Sequence, residues 1–205
     1  MEEQIERIKS WLGTGSVNIF GRPFAGKDTQ GRKLADILGS ELVAGGDILR
    51  SYHDQELIKK LMSTGDLFPM DLYLEIVVPY LSRPEIADRS LVLSAVGRLK
   101  GEEKVIMEAT EKSGHPIKAV VLMNLSEDQV WQRLEAAKSL HDRGERQDDD
   151  AEALRNRLKK FTDQTMPVIE FYREQGLLLE VDGSLSRDAV TDEIVKVLAK
   201  RAAEE

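Results

Sequence analysis

The sequence contains no cysteine among its 205 residues. Disulfide bonds and thiolate metal sites are therefore excluded. The absence fits a protein that works in a reducing compartment, and we expect a cytoplasmic location.

Long apolar runs are also missing. No stretch approaches the roughly 20 residues that a membrane-spanning helix requires, and Met1–Lys9 is too charged to resemble a secretory signal. We therefore expect no membrane association. Internal repeats and low-complexity linkers are absent as well, which predicts a single domain over residues 1–205.

The chain also lacks an excess of positive charge. Lysine and arginine number 29 against 37 aspartates and glutamates, which gives a formal net charge of −8. This balance argues against general affinity for nucleic acid or for a membrane surface. Any anionic ligand must therefore be held by a local cluster of positive side chains.

What the chain does have is a regular alternation of strand-like and helix-like segments. Several of the predicted strands are nearly continuous apolar runs, as buried parallel strands tend to be. The predicted strands are Val17–Phe20, Glu41–Val43, Leu91–Leu93, Ile117–Met123 and Leu177–Val181. Helical patterns fill the intervals, so we expect an α/β domain whose helices flank a parallel sheet of about five strands.

Local signals predict where several helices begin or break. Ser126 and Gln129 form a capping-box pattern, which predicts that a helix starts between them. Ser186 precedes the apolar spacing of a final helix. The helical pattern of Asp149–Gln175 contains Pro167, where we expect a break or kink.

Residues 1–16 form a predicted N-terminal helical extension. One face of that helix is apolar, and a break follows at Gly13–Ser16. Packing of this face on the domain and binding of a partner are both open from the sequence. The residues of the face are Ile5, Ile8, Trp11 and Leu12.

A glycine-rich run, Gly21–Thr29, lies between the first predicted strand and a predicted helix. Its spacing from Gly21 to Gly26 and Lys27 fits the G-x-x-x-x-G-K pattern of phosphate-binding loops. In that arrangement backbone N–H groups face a phosphate, and the helix N-terminus adds partial positive charge. Lys27 can reach the outer phosphates, and Thr29 offers a hydroxyl toward a metal-bound water. The alternative is a plain strand-to-helix turn, because the pattern also occurs by chance.

Two stretches interrupt the alternation of strands and helices. Gly45–Leu81 is helical without a convincing core strand, and Ser139–Asp150 is almost wholly charged or polar. A charge run alone is usually a solvated loop. Arginines lie beside these stretches and near predicted element ends, and their planar forks suit bidentate contacts with phosphate. Each alone is an ordinary surface residue, but with the glycine-rich loop they indicate a phosphoryl-transfer site. They are Arg50, Arg98, Arg133, Arg146 and Arg157.

Taken in order, these motifs resemble the nucleoside monophosphate kinases of the adenylate kinase family over nearly the whole chain after the N-terminal helix. GRPFAGKDTQG resembles the family's G-x-P-G-A-G-K-G-T-Q loop, and RQDDDAEALRNRL resembles R-x-D-D-x-x-E-x-x-x-x-R-L. Further matches are GGDILR at Gly45–Arg50, GDLFP at Gly65–Pro69, GR at Gly97–Arg98, MPVIEFYREQG at Met166–Gly176 and VDG at Val181–Gly183. The resemblance implies a P-loop NTPase core with a monophosphate-binding insertion at 45–83 and a short lid at 138–148.

The resemblance also implies transfer of the terminal phosphoryl group of ATP to a nucleoside monophosphate, with AMP favoured, in the presence of Mg²⁺. A monomer is expected, with these nucleotides as its partners. The implied ATP-binding residues are Gly21, Pro23, Ala25, Gly26, Lys27, Asp28, Thr29 and Arg133, the last lying over the adenine. The implied acceptor-binding residues are Gly45, Arg50, Phe68, Gly97, Arg98 and Glu102. Catalysis is assigned to Lys27, Arg98, Arg146 and Arg157, and water-mediated contact with the metal to Thr29 and Ser94.

The chain departs from the family pattern at several of these positions. Phe24 replaces a loop glycine, and Asp28 places a carboxylate beside the phosphates. Ser94 stands where the family has an aspartate that is often linked to Mg²⁺ through water, and Ala137 stands in place of a second arginine. These departures support an alternative, a weak or inactive relative that binds nucleotide and acts through its conformation. Another small-molecule P-loop kinase is a further alternative.

The choice of acceptor base is open from the sequence. Glu102 occupies the place of a glutamine that recognises adenine, and Gly45 replaces a threonine or alanine that helps to distinguish bases. A carboxylate can accept a hydrogen bond from an amino group, but it cannot supply the donor of an amide.

Overall fold

The computed structural model describes residues 1–58, 69–140 and 151–204, apart from the side chains at positions 50, 70 and 138–140. Its strands are β1 (Ser16–Gly21), β2 (Glu41–Ala44), β3 (Leu91–Ser94), β4 (Ile117–Asn124) and β5 (Leu178–Asp182). All five predicted strands are thus confirmed, and their ends agree with the prediction to about one residue.

The strands form one sheet in the order β2-β3-β1-β4-β5, and every neighbouring pair is parallel. The inner strands β1 and β3 are buried along their whole length. This burial explains why their sequences are almost continuously apolar, since both faces of a parallel sheet are covered by helices.

Helices lie on both faces of the sheet, so the predicted α/β class is confirmed. They are α1 (Glu2–Leu12), α2 (Lys27–Leu38), α3 (Gly45–Ser51), α4 (Met70–Leu81), α5 (Glu103–Lys112), α6 (Glu127–Leu140), α7 (Ala151–Lys160), α8 (Met166–Glu174) and α9 (Arg187–Glu204). Two apolar clusters fill the spaces between the helices and the sheet. One includes Leu34, Val130 and Ile194, and the other includes Val77 and Ile106.

The apolar face of the N-terminal helix packs on the domain. Ile8 and Leu12 are buried in the same cluster as Val195 and Leu198 of α9. Trp11 packs against the edge of this cluster. Of the two possibilities left open by the sequence, packing on the domain is therefore the one observed for this face.

The predicted helix signals are present as local hydrogen bonds. The Ser126 amide donates to Gln129 Oε1 at 2.9 Å, and the Gln129 amide donates to Ser126 Oγ at 3.2 Å. These two bonds complete the capping box at the start of α6. The Ser186 hydroxyl oxygen likewise accepts a bond from the Ala189 amide at 3.3 Å, at the start of α9.

The break expected near Pro167 lies just before the proline. Phe161–Thr165 is a π-helical turn between α7 and α8, and Pro167 occupies the first turn of α8. Proline has no N–H to donate to the carbonyl four residues earlier, and its ring crowds that carbonyl. A π turn contains more residues than an α-helical turn, so the regular helical pattern is interrupted there.

None of the helices in the described ranges is both long enough and apolar enough to cross a membrane.

Candidate active site

The candidate site lies at the carboxyl ends of the central strands. The chain leaves β1 at Gly21 and enters α2 at Lys27. The adjacent strand β3 ends at Ser94, which is in register with Ile19. The connection after β1 leads to β2 on one side, whereas the connection after β3 leads to β4 on the other side. The two connections therefore diverge between β1 and β3 and leave a crevice, which is where open α/β sheets bind ligands.

The loop after β1 turns through two residues in the left-handed conformation. Gly26 has φ of 89° immediately before α2, a value that suits glycine. Phe24 has φ of 64°, an uncommon conformation for a residue with a side chain, which costs roughly 1–2 kcal/mol. The position at which the family pattern has a glycine therefore keeps a left-handed backbone here, although it carries a side chain.

Two arginines support this strained loop from outside. Arg133 donates through Nη1 to the carbonyl of Phe24 at 3.0 Å and to that of Ala25 at 3.3 Å. Its Nη2 donates to the carbonyl of Gly183, so the guanidinium joins the loop to the end of β5. The guanidinium carbon of Arg157 lies 5.9 Å from the centroid of the Phe24 ring, within the range of a cation–π contact.

Lys27 lies within range of the positive charges of two arginines. Its side chain is 22% exposed. Burial lowers the pKa of its ammonium group, the carboxylate of Asp28 opposes that effect, and the charges of Arg98 and Arg157 lower the pKa further. The structure therefore brings three predicted catalytic residues together. Like charges gathered in a crevice favour an anionic ligand.

Asp28 contacts the end of β3 and the side chain of its neighbour Lys27. The hydroxyl of Ser94, at the end of β3, donates to Asp28 Oδ1 at 2.8 Å. The same carboxylate oxygen lies 3.7 Å from the ammonium nitrogen of Lys27. Two of the residues at which the chain departs from the family pattern therefore touch each other.

Arg98 is placed by a tight loop after β3. Gly97 has φ of 67°, and a Cβ at this position would lie 2.4 Å from Cγ1 of Ile106. The Gly97 amide donates to the hydroxyl of Tyr73 at 3.2 Å, and Asn18 on β1 donates to the carbonyl of Val96 at 2.8 Å. These contacts fix the backbone from which the exposed Arg98 side chain extends.

The predicted acceptor side contains a buried carboxyl group. Glu102 is 5% exposed and accepts a hydrogen bond from the Leu99 amide at 3.1 Å. Burial raises the pKa of Glu102 to about 7, although this bond and the charge of Arg98 act in the opposite direction. A Cβ at Gly45 would lie 3.7 Å from the carbonyl oxygen of Ala95, which is an ordinary contact. Position 45 therefore has room for a methyl group.

Replacement of Glu102 by glutamine is expected to stabilise the fold at pH 8. The unfolded carboxyl ionises near pH 4.5, whereas the folded one keeps its proton up to about pH 7. The contribution of the Glu102 carboxyl group to the free energy of unfolding of wild type is fully present below pH 4.5 and is lost as the pH rises to 7. Glutamine does not titrate, so the variant should gain up to about 3 kcal/mol relative to wild type between pH 4.5 and 8. Urea unfolding across this range measures the gain.

Glu111→Gln serves as the matched control, because Glu111 is an exposed residue of α5, the helix that begins directly after Glu102. Its free energy of unfolding should follow that of wild type at each pH. A Glu102→Gln gain that does not change with pH would contradict the buried, proton-retaining carboxyl.

A cavity of about 330 Å³ adjoins the glycine-rich loop. Its walls include Phe24, Thr29, Arg133, Ala137, Leu185 and Arg187. Burial lowers the pKa of Arg133, and the positive charge of Arg187 lowers it further. Leu185 and Arg187 were not among the residues predicted from the motifs. The VDG match ends at Gly183 and says nothing about the residues that follow it. That Arg133 stacks on an adenine remains a prediction.

Some predicted site residues lie outside the described part of the chain. Phe68 and Arg146 belong to ranges that the structure does not describe, and so does the side chain of Arg50. The same holds for residues 59–68 of the predicted insertion at 45–83 and for residues 141–148 of the predicted lid at 138–148. Their assigned roles remain predictions.

Comparison with known proteins agrees with this geometry. The adenylate kinase family model matches residues 19–177. The chain is 31% identical to an adenylate kinase of Parvibaculum lavamentivorans, covering 88% of this chain and 90% of the relative. It is 33% identical to an adenylate kinase of Mycolicibacterium paratuberculosis, covering 82% and 92%, and 31% identical to one of Thermus thermophilus, covering 87% and 95%. The chain therefore belongs to the adenylate kinase family of ATP-dependent nucleoside monophosphate kinases.

Proposed function

We propose that this protein transfers the terminal phosphoryl group of ATP to AMP and so forms two molecules of ADP, using the crevice at the ends of β1 and β3. The observation that carries the proposal is the grouping of Lys27, Arg98 and Arg157 around the glycine-rich loop. These cations come from three separate parts of the chain, which is the arrangement that two phosphate-bearing substrates require.

Each cation has a distinct role in this proposal. The backbone amides of Gly21–Thr29 and the ammonium of Lys27 bind the phosphates of ATP. Arg98 binds the phosphate of AMP and aligns it with the terminal phosphorus. Arg157 stabilises the charge on the group in transfer.

The reaction needs no general base, because the attacking phosphate oxygen of AMP is already ionised. This oxygen forms a bond to the terminal phosphorus of ATP as the bond from that phosphorus to the bridging oxygen breaks, and ADP leaves. Catalysis therefore consists of in-line positioning and charge stabilisation. Residues 138–148, with Arg146, form a lid in this proposal, and residues 45–83, with Arg50 and Phe68, hold the acceptor. Closure of both excludes water from the phosphoryl group.

Glu102 can recognise adenine despite replacing a glutamine. With a pKa of about 7, its carboxyl keeps a proton in much of the population near neutral pH. A protonated carboxyl both donates and accepts a hydrogen bond, as an amide does. The lack of an amide donor at position 102 is therefore compatible with AMP as the acceptor.

Mg²⁺ fits the residues at the site. Thr29 and Ser94 supply hydroxyl oxygens and Asp28 a carboxylate, and Mg²⁺ prefers oxygen ligands. Among the described residues, no group of three or more His, Cys, Asp or Glu side chains could hold a metal ion by itself. We therefore propose that the phosphates and water supply most of its ligands, and that the hydroxyl groups of Thr29 and Ser94 contact those waters. When bound, the ion neutralises charge on the phosphates.

A cytoplasmic monomer is proposed on two further grounds. The lack of cysteine favours a reducing compartment. Lys27, Arg98 and Arg157 all come from one chain, so the proposed chemistry does not require a second copy.

A coupled assay of ADP formation tests the proposed reaction. Purified protein with ATP and Mg²⁺ is expected to turn over AMP in preference to CMP, UMP, GMP and dTMP. Preference for another monophosphate would overturn the acceptor. No turnover with any of the five monophosphates, together with clear ATP binding, would favour the alternative of an inactive relative. No finding supports that alternative.

A further inference from the structure

Asp28 presents an electrostatic problem at a site for ATP. Its carboxylate is in the first turn of α2, next to Lys27, where the phosphates of ATP bind in the proposed function. Negative charges this close repel each other. The Asp28 side chain is 61% exposed and could turn toward solvent. It instead accepts the bond from Ser94, which holds the carboxylate against the end of β3.

The central sheet fixes the position of Ser94. Ser94 is buried at the end of β3, and its strand pairs with β1 through residues adjacent to the glycine-rich loop. The next amide, that of Ala95, donates to the carbonyl of Ile19 at 3.0 Å. The hydroxyl that holds Asp28 is therefore supported by the centre of the sheet.

The two residues complement each other chemically. In the pattern that this chain resembles, the strand end carries an aspartate and the loop has a glycine after its lysine. Here the strand end carries Ser94 and the loop carries Asp28. The carboxylate is supplied by the helix instead of the strand, and it lies within 2.8 Å of the hydroxyl at the strand end.

We propose that Asp28, held by Ser94, is the positioning residue for the water shell of the Mg²⁺ that accompanies ATP. This inference rests on the proposed function. A carboxylate here repels metal-free ATP but attracts the hydrated cation of the magnesium complex. The site should therefore discriminate strongly between the two forms of ATP, and much of that discrimination should depend on Asp28.

A helix-stabilising role is the competing explanation for Asp28. A carboxylate in the first turn of a helix favours the helix by about 0.3–1 kcal/mol. That role predicts a lower melting temperature when the charge is removed. It predicts no change in the dependence of ATP binding on Mg²⁺, so the two explanations differ in a binding measurement.

Calorimetric titration with the non-hydrolysable analogue AMP-PNP, in Mg²⁺ and in EDTA, tests the inference. The ratio of the metal-free Kd to the magnesium-complex Kd is expected to fall at least about tenfold in Asp28→Asn. Metal-free binding should tighten or stay constant, while binding of the complex weakens. A ratio within about twofold of wild type would overturn the inference.

Exchange of the two residues is the second arm of the test. The Asp28→Gly variant should lose the dependence of AMP-PNP binding on Mg²⁺. The double variant Asp28→Gly, Ser94→Asp should regain that dependence. Failure of the double variant to regain it, when its thermal melt shows a folded protein, would overturn the assigned complementarity. Asp36→Asn is the control, because Asp36 is exposed on the same helix and distant from the loop. Its ratio should match that of wild type.

The outcome for wild type separates the two proposals. A wild-type protein that binds neither form of the analogue would overturn the proposed function together with this inference. A wild-type protein that prefers the magnesium complex, with the preference unchanged in Asp28→Asn, would overturn only the role of Asp28.

Discussion

Replacement of Lys27 by methionine is expected to lower kcat for ADP formation by at least about a hundredfold, the effect typical of losing one preorganised charge from a transition-state site. Lys27 is mostly buried at the start of α2, directly after the glycine-rich loop whose amides bind phosphate in the proposed donor site. Methionine has a similar length and fills the same apolar space, so the loss isolates the charge. Steady-state assays with ATP, Mg²⁺ and AMP measure it.

The stability of the same variant gives an independent check. Burial and the charges of Arg98 and Arg157 disfavour the charged form of Lys27 in the folded state. Removal of the charge should therefore leave the free energy of unfolding unchanged or raise it, even though kcat falls. Lys33→Met is the control, since Lys33 lies further along α2, where it pairs with Asp188. Unchanged turnover in Lys27→Met would overturn the assignment of the phosphate-binding loop.

Replacement of Arg98 by alanine is expected to lower kcat/KM for the monophosphate by about a hundredfold, while the affinity for ATP changes little. A charge-assisted bond to phosphate contributes roughly 2–3 kcal/mol, which corresponds to that factor. In the proposed function Arg98 binds the phosphate of the acceptor. Its side chain extends from the loop after β3, which Gly97 and its contacts fix. Kinetics with each substrate varied in turn separate the two affinities.

The control for Arg98 lies at the opposite edge of the sheet. Arg89 precedes β3 and pairs with Glu41 at 2.6 Å, so Arg89→Ala removes an arginine near the amino ends of the strands. Its kinetic constants should match those of wild type. Equal loss of ATP and monophosphate affinity in Arg98→Ala would place Arg98 outside the acceptor subsite.

Local sequence patterns predicted most of the fold. The buried strands β1 and β3 were recognisable because both of their faces are covered, which makes their sequences apolar at nearly every position. The capping box of Ser126 and Gln129 was recognisable because its partners are three residues apart. The break near Pro167 was expected, but its form was not, because the same proline can be accommodated by a kink or by a π turn.

The candidate site was predicted only in part. Lys27, Arg98 and Arg157 were assigned from ordered motifs, and the structure brings them together. The support that Arg133 gives to the loop carbonyls was not expected, since nothing in a sequence indicates which backbone atoms a guanidinium will reach. Burial of Glu102, and with it the raised pKa, also depends on neighbours from other parts of the chain.

The sequence by itself determined the order of strands and helices, the place of the phosphate-binding loop and the family to which the motifs point. These features depend on periodicity, turn chemistry and spacing, which act between residues close together in the chain. Only the tertiary structure decided that Ser94 holds Asp28, because those residues are separated by 66 positions and meet only through the parallel pairing of β1 with β3. Two substitutions that look like separate losses in the sequence therefore form one contact in the folded protein.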